Sequence, residues 1–282
     1  MLSRKHFIQK AAIGIGASVN LPLLSNASAV PSAAFKKNQN LLPIGIAGYT
    51  FNKFDLEKSI AMMKRLDIRN ISVKDFHLPL NSNEEKIKSV LSQFADANIK
   101  VYTVGVIYMK TEEAVDQAFD YAKRVGVNMI VGVPNYELLD YTEEKVKAMN
   151  IKIAIHNHGP EDALYPGPQQ VWDRIKNKDS RMGLCLDIGH AHRAGVDLVK
   201  AIKDYKSRLF DLHIKDVSSG NKEGKAMEIG RGTIDFEAVA NALYKINYNG
   251  ICSIEFEKDM SDPMPGIAES TGYFRGILAS HG

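Results

Sequence analysis

The sequence predicts a single-domain (β/α)8 TIM barrel of the α/β class, on three observations. Strand-like and helix-like patterns alternate strictly, eight of each over about 240 residues. Strand starts recur about every 23 to 31 residues, apart from one interval of roughly 41 that contains a polar, Gly-rich stretch at 218–232. That is the spacing of parallel strands joined by helical crossovers. Finally, the metal-capable side chains collect where strands hand over to helices, the face on which such barrels keep their sites. A doubly wound open sheet would usually carry a Gly-rich turn after its first strand. Here Ile44-Gly45-Ile46-Ala47-Gly48 runs into aromatics instead, which ranks the barrel ahead.

The chain opens with a segment that belongs to export rather than to the fold. MLSRKHFIQK is basic, AAIGIGASVNLPLLS is apolar, and Ala27-Ser28-Ala29 is a small-residue cleavage site, so residues 1–29 read as a signal peptide. Ser3-Arg4-Lys5-His6-Phe7-Ile8 is similar to a twin-arginine signal with Lys5 in the second arginine position. Both the twin-arginine and the general secretory route stay open. The apolar stretch is short and interrupted by Pro22, which argues against a bilayer span. No Cys follows it to carry a lipid anchor. The expectation is an exported, periplasmic protein with no membrane contact after signal removal.

The leader holds Arg4, Lys5 and Lys10 and no acid, which accounts for the whole-chain charge of +3. The remainder is near neutral, so charge offers no surface for nucleic acid. The 253 residues left of 282 suit one large core. Residues 30–41 read as a short disordered lead-in, and 42–282 as the barrel.

The elements follow in order. Residues 42–51 are strand-like, and 55–66 are helical with Ile60, Met63 and Leu66 on one face. A strand over 70–78 precedes a helix over 83–97 carrying Ile87, Val90, Leu91 and Phe94 at helical spacing. A strong strand spans 99–109, and Thr111-Glu112-Glu113 starts a helix that runs to 125. Next come a strand at 128–134, a short helix around 141–149, a strand over 151–159 and a helix around 169–178. The last third carries strands at 182–190, 209–217 and 250–257, with helices at 196–208, 236–246 and 267–279. Cys185 and Cys252 fall in strands separated by a third, which favours two buried thiols over a disulfide.

The carboxyl ends of these strands hold the chemistry. IKIAIHNHG ends in His156 and His158, which share one face of the fifth strand. The sixth strand ends at Asp187 and His190, the seventh at His213 and Lys215, the eighth at Glu255 and Glu257. Earlier strands contribute His77, Tyr108 and Asn135. Two imidazoles and two carboxylates, His156, Asp187, His213 and Glu255, form a mixed N/O set for one divalent ion. Manganese heads the candidates, with zinc, cobalt, iron and magnesium as alternatives. Taken singly, Asp187 could cap the turn at Gly189 and His213 could be a hydrogen-bonded core histidine. Glu255 is harder to explain that way, because a lone buried carboxylate is costly. His158 and His190 sit where substrate contacts belong. Lys215 could bind a sugar oxygen or an enolate, or simply pair with Glu257. Arg231, in Gly230-Arg231-Gly232, could clamp substrate or be a solvated loop residue.

On these residues the chain resembles the xylose-isomerase-like barrels of the sugar phosphate isomerase/epimerase family. The matching stretches are HNHGPED at 156–162, RMGLCLDIGHAHRAGVD at 181–197, RLFDLHIKD at 208–216, IGRG at 229–232 and NGICSIEFE at 249–257. The resemblance implies a (β/α)8 fold and one divalent metal on His156, Asp187, His213 and Glu255. It also implies a small carbohydrate substrate whose vicinal oxygens bind that metal. In ketose epimerases of this superfamily the fifth-strand ligand is a Glu that also exchanges a proton; here it is His156. A metal-bound imidazole makes a poor exchanging base.

The branch with HNHG looks similar to exported enzymes that cleave 3-keto-glycosides by elimination. The headline expectation is therefore a metal-dependent sugar isomerase/epimerase working through a metal-stabilised enolate. The alternative is an exported 3-keto-glycoside lyase or hydrolase that eliminates the aglycone. Glu255, His158 and Glu161 are candidate bases, and Lys215 and His190 can stabilise the enolate or protonate the leaving oxygen. An AP-endonuclease-like DNA repair enzyme would need several zinc ions and a basic groove. A sugar-binding protein with a relict site would be favoured by loss of a ligand, and all four are present.

Overall fold

The computed structural model describes residues 42–280; the expected signal peptide and lead-in lie outside them. Eight parallel strands close into a barrel: β1 Ile44–Ala47, β2 Asn70–Val73, β3 Lys100–Met109, β4 Met129–Pro134, β5 Lys152–His156, β6 Met182–Asp187, β7 Leu209–Ile214 and β8 Cys252–Ile254. Each pairs with its neighbours in sequence, and β8 pairs with β1. Between them lie α1 Leu56–Arg65, α2 Glu84–Asp96, α3 Glu112–Val125, α4 Leu139–Met149, α5 Pro168–Ile175, α6 Ile188–Arg193, α7 Leu198–Asp204 and α8 Phe236–Lys245, and α9 Met264–Ser280 follows β8. Several of these helix starts are set by side-chain caps. Asp55, Asn83, Thr111, Asp197 and Asp235 each accept a hydrogen bond from the backbone N–H three residues on, which satisfies an otherwise orphaned donor. Among the described residues no helix is long and apolar enough to cross a membrane.

Several strands are shorter than expected, β2 ending at Val73 instead of 78, and three of the differences shape the site. The first strand stops at Ala47, and residues Gly48–Phe51 form a 3-10 turn. There Thr50 Oγ1 donates to the Ile254 carbonyl and accepts from Phe256 N–H, joining the turn to the end of β8. The sixth strand ends at Asp187 rather than His190, because the Asp187 carboxylate caps α6 through the His190 N–H at 2.8 Å. The seventh ends at Ile214, and Asp216–Val217 instead pairs antiparallel with Ala226–Met227. The Gly-rich segment that follows is ordered by one buried carboxylate. Asp216 accepts N–H bonds from Val217, Gly230, Gly232 and Ile234. A Cβ on Gly232 would lie 2.2 Å from Asp216 Oδ1, so that close approach requires glycine.

Below the carboxyl ends the barrel interior carries a polar layer. Tyr102 Oη donates to Asp211 Oδ2 at 2.9 Å and lies 2.6 Å from Ser253 Oγ. Cys185 and Cys252 are buried, free thiols. Burial pushes the Asp211 carboxyl up to about 7, against the opposing effect of His213 and the Tyr102 hydrogen bond. A folded value above the unfolded one means the native state keeps a proton that the unfolded chain releases. The resulting stability is full below about pH 3.9 and is lost as pH rises through the folded value. Asp211→Asn keeps the shape and removes the titration. In metal-free protein, wild type should lose on the order of 2 kcal/mol more than Asp211→Asn between about pH 5 and 8. Urea melts at both pH values measure this, and parallel losses in the two proteins would contradict a neutral Asp211.

Candidate metal centre and active site

Four successive strands deliver one buried donor each. His156 closes β5, Asp187 closes β6, His213 lies within β7, and Glu255 follows β8. Register aligns them: Asp187 pairs with His213, and His213 with Ser253, two residues before Glu255. One ligand atom from each falls within 4.8 Å of all the others. His156 Nε2 is 3.0 Å from His213 Nδ1 and 3.6 Å from Asp187 Oδ2, and His213 Nδ1 is 3.4 Å from Glu255 Oε2. None of the four is more than 5% exposed.

Burial takes His156 down to about 3. Burial opposes charge on His213 too, yet the adjacent Glu255 carboxylate raises it. Burial likewise opposes the Glu255 charge, but Lys215 and His213 hold it well below the usual carboxylate range. His156 Nδ1 and His213 Nε2 are buried without a hydrogen-bond partner among the described residues. Two imidazoles and two carboxylates held together out of water suit a borderline or hard divalent ion.

Lys215 crosses the mouth of this cluster. Its Nζ lies 2.8 Å from Glu255 Oε2, 3.1 Å from Glu257 Oε2 and 3.2 Å from Asp187 Oδ2. It is also 3.3 Å from His190 Nε2. The lysine is 3% exposed. Burial works against its charge, and the three carboxylates override it, raising it well above the ordinary value. The stem passes over Gly189, where a Cβ would meet Lys215 Cγ at 2.2 Å. The Gly in Asp187-Ile188-Gly189-His190 is therefore the residue that lets Lys215 reach the cluster.

Above it opens a cavity of about 370 Å³, on whose wall His156, His158, His190 and Glu255 meet Tyr108 and Glu257. Tyr49, Lys74 and Val106 complete the rim. On one side Asp162, His158 and Tyr108 stand in line, with a hydrogen bond between the last two. Asp162 Oδ2 is 3.3 Å from His158 Nδ1, and His158 Nε2 is 2.9 Å from Tyr108 Oη. The other oxygen of Asp162 accepts the Leu164 and Tyr165 amides at 2.7 and 2.8 Å, which fixes the carboxylate. Burial lowers His158 below its usual range, and burial with the Lys215 charge takes His190 to about 4.

Five residues expected to touch substrate or serve in catalysis lie off the lining of this cavity; Lys215 stands behind it in the carboxylate cluster, and four are engaged elsewhere. His77 is buried, its Nε2 3.0 Å from both Ser59 Oγ and the Phe54 carbonyl, and it holds the start of α1. Asn135 donates to Glu137. Arg231 is bound bidentately by Glu269 of α9. Glu161 pairs with Arg193, which also donates to the Lys222 carbonyl. In the other direction, Tyr49, Lys74 and Asp162 were not singled out from the sequence. Asp162 carried a signal, standing four residues after His158 in HNHGPED; a lone aromatic and a lone Lys near strand ends carried none.

Removing the Lys215 ammonium leaves three carboxylates without their shared partner. Lys215→Met should therefore destabilise metal-free protein by roughly 3 to 5 kcal/mol, with part of the loss recovered on adding manganese. Denaturant melts with and without the ion check this. An unchanged metal-free midpoint would contradict the role given to Lys215.

Comparison with known proteins places this geometry in a family. The xylose isomerase-like TIM barrel family matches residues 51–277. Among curated relatives, an uncharacterized protein of Methanocaldococcus jannaschii is 29% identical over 125 residues, 43% of this chain and 42% of that one. A probable endonuclease 4 of Mycoplasma mycoides is 33% identical over 95 residues, 30% of this chain and 32% of that one. An inosose dehydratase of Clostridium perfringens is 30% identical over 105 residues, 32% and 34% respectively. The chain thus matches well under half the length of each. Among solved structures, the IolI protein with a bound zinc atom superposes with a TM-score of 0.71 at 16% identity, covering 86% of this chain and 99% of that one. The 3-keto-D-glucoside 4-epimerase of E. coli superposes with a TM-score of 0.67 at 17% identity, covering 83% and 99%; both share the fold. With the profile spanning 51–277 of 282 residues, the chain belongs to the xylose isomerase-like TIM barrel family.

Proposed function

We propose that the protein is a divalent-metal-dependent sugar isomerase/epimerase-type enzyme that removes a proton from the carbon beside the carbonyl of a keto sugar. One observation carries the reading: His158 offers its Nε2 on the cavity wall directly beside the buried cluster of His156, Asp187, His213 and Glu255. A divalent ion on those four residues supplies Lewis-acid polarisation of the substrate oxygens. The chain supplies the rest. The Asp162 carboxylate beside Nδ1 favours the tautomer protonated there, so Nε2 accepts from Tyr108 Oη until substrate replaces that contact. Burial keeps the ring neutral and able to accept a proton. Behind Glu255 and Glu257 on the cavity wall, the Lys215 ammonium would stabilise negative charge developing on a substrate oxygen. Glu255 remains a second candidate base, and Glu161, tied to Arg193, does not.

A second reading, elimination of the aglycone from a 3-keto-glycoside, is favoured by the Asp162–His158–Tyr108 chain. It puts a proton acceptor and a phenol on one side of the cavity, where a leaving oxygen can take a proton. The relatives named inosose dehydratase and the neighbour named 3-keto-D-glucoside 4-epimerase are consistent with one or other outcome. The relatives named endonuclease 4 raise a nucleic-acid reading. The near-neutral charge beyond the first 29 residues favours the carbohydrate one.

Manganese-loaded protein incubated in D2O with free ketoses and with 3-keto-glucosides should place solvent deuterium beside the carbonyl of one class, seen by NMR. Exchange in neither would overturn the reading. Ketose interconversion with intact 3-keto-glucosides selects epimerisation, and release of the aglycone selects elimination. His158→Ala should lower kcat by roughly 10²- to 10⁴-fold with KM little changed. His156→Ala and Glu255→Ala should each abolish stoichiometric metal in elemental analysis; retention of wild-type metal by both would discard the four-residue set.

A further inference from the structure

A second donor set lies one layer below the first and shares both of its rings. Cys185 stands opposite His156 in the β5–β6 register and two residues before Asp187 on the same strand, so Cys185 and Asp187 project to the same side. Ligand atoms of His156, Cys185 and His213 all lie within 4.8 Å of one another, and each residue is at most 1% exposed. The two rings have nitrogens to spare. His156 Nε2 and His213 Nδ1 face each other near the carboxylates, while His156 Nδ1 and His213 Nε2 are buried without a hydrogen-bond partner among the described residues. The Cys185 sulfur reaches Asp211 Oδ2 only at 4.0 Å.

We propose that Cys185, with His156 and His213, forms an alternative site for thiophilic divalent ions such as zinc, cobalt or cadmium, overlapping the mixed N/O site. This rests on His156 and His213 being metal ligands. The chemistry follows from donor softness: thiolate and imidazole suit zinc-like ions, whereas manganese keeps to carboxylate and imidazole. On binding, the Cys185 S–H bond breaks, a sulfur–metal bond forms, and the proton leaves to solvent with no change in oxidation state. A hard ion prefers the oxygen and imidazole donors of the upper layer, so the sulfur takes no part in holding it. A thiophilic ion drawn to the sulfur sits deeper, away from Asp187, Glu255 and the cavity. The identity of the ion then decides which layer is used, and with it the activity.

Cobalt(II) loading of the EDTA-stripped full chain tests this through an absorption that does not depend on turnover. Wild type should show an intense near-ultraviolet thiolate-to-cobalt charge-transfer band, absent in Cys185→Ser and Cys185→Ala and kept in Cys252→Ser. Cadmium affinity should fall by about tenfold or more in the Cys185 variants, with manganese affinity unchanged. Stoichiometric cobalt without the band, or a band that survives Cys185→Ala, overturns the inference and leaves the mixed N/O reading intact. Failure of wild type to bind cobalt or manganese at all overturns both.

Discussion

The buried ammonium of Lys215 is the interaction on which the rest of the site depends. Asp187 and Glu255 are withdrawn from water, and two carboxylates so placed repel one another and lose hydration. Lys215 meets both within 3.2 Å and adds Glu257, so one cation just past β7 compensates anions from β6 and β8. His213 supplies the remaining compensation to Glu255. The compensation is also a geometric tie, since the same contacts hold three strand ends at one height. Gly189 belongs to it as much as the charged groups do, because a side chain there would block the lysine stem.

Around that centre the chain uses short polar devices instead of apolar packing. Asp187 caps α6 with one oxygen while the other faces Lys215 and His156. A single side chain therefore ends the strand, starts the helix and enters the cluster. Asp216 organises the return of the Gly-rich segment through four backbone N–H groups, in the manner of an anion-binding concavity turned inward. Asp162 does the same on a smaller scale, fixed by two amides and aimed at His158. In each case a carboxylate is immobilised by backbone donors before it acts on a neighbour, so its orientation does not depend on substrate.

Much of this was legible in the sequence, for a definite reason. Strand periodicity places alternate residues on one face, and parallel neighbours align strand ends, so His156, Asp187, His213 and Glu255 were legible as one group. The barrel followed from alternation and spacing. What strand position does not convey is direction once the strand has ended. His77, Asn135, Glu161 and Arg231 all follow strands on the expected face. Their side chains are claimed by Ser59, Glu137, Arg193 and Glu269, partners distant in sequence in most cases. Arg231 is the clearest instance, since its partner lies on the last helix. Tyr49 and Lys74 were missed for the converse reason. Their place on the cavity rim comes from a 3-10 turn and a short β2 that periodicity read as continuous strand.

The replacement of a fifth-strand carboxylate by His156 shapes the proposed chemistry more than any other residue. In the proposed reading a metal-bound imidazole has no lone pair to exchange, so proton removal would fall to the next inward residue of that segment, His158. The Asp162 carboxylate, 3.3 Å from His158 Nδ1, favours the tautomer protonated there. Elsewhere at the site the charge is carried by Lys215 and Glu257, a bound pair better suited to stabilising an oxyanion than to trading a proton. The two groups are thus unlike. Under the proposed function, an asymmetric site of this kind would remove a proton from one face, and the fate of the enolate would depend on the substrate. A good leaving group on the next carbon departs; without one, the proton returns. Isomerisation and elimination then share their first step and differ in what stands beside Tyr108.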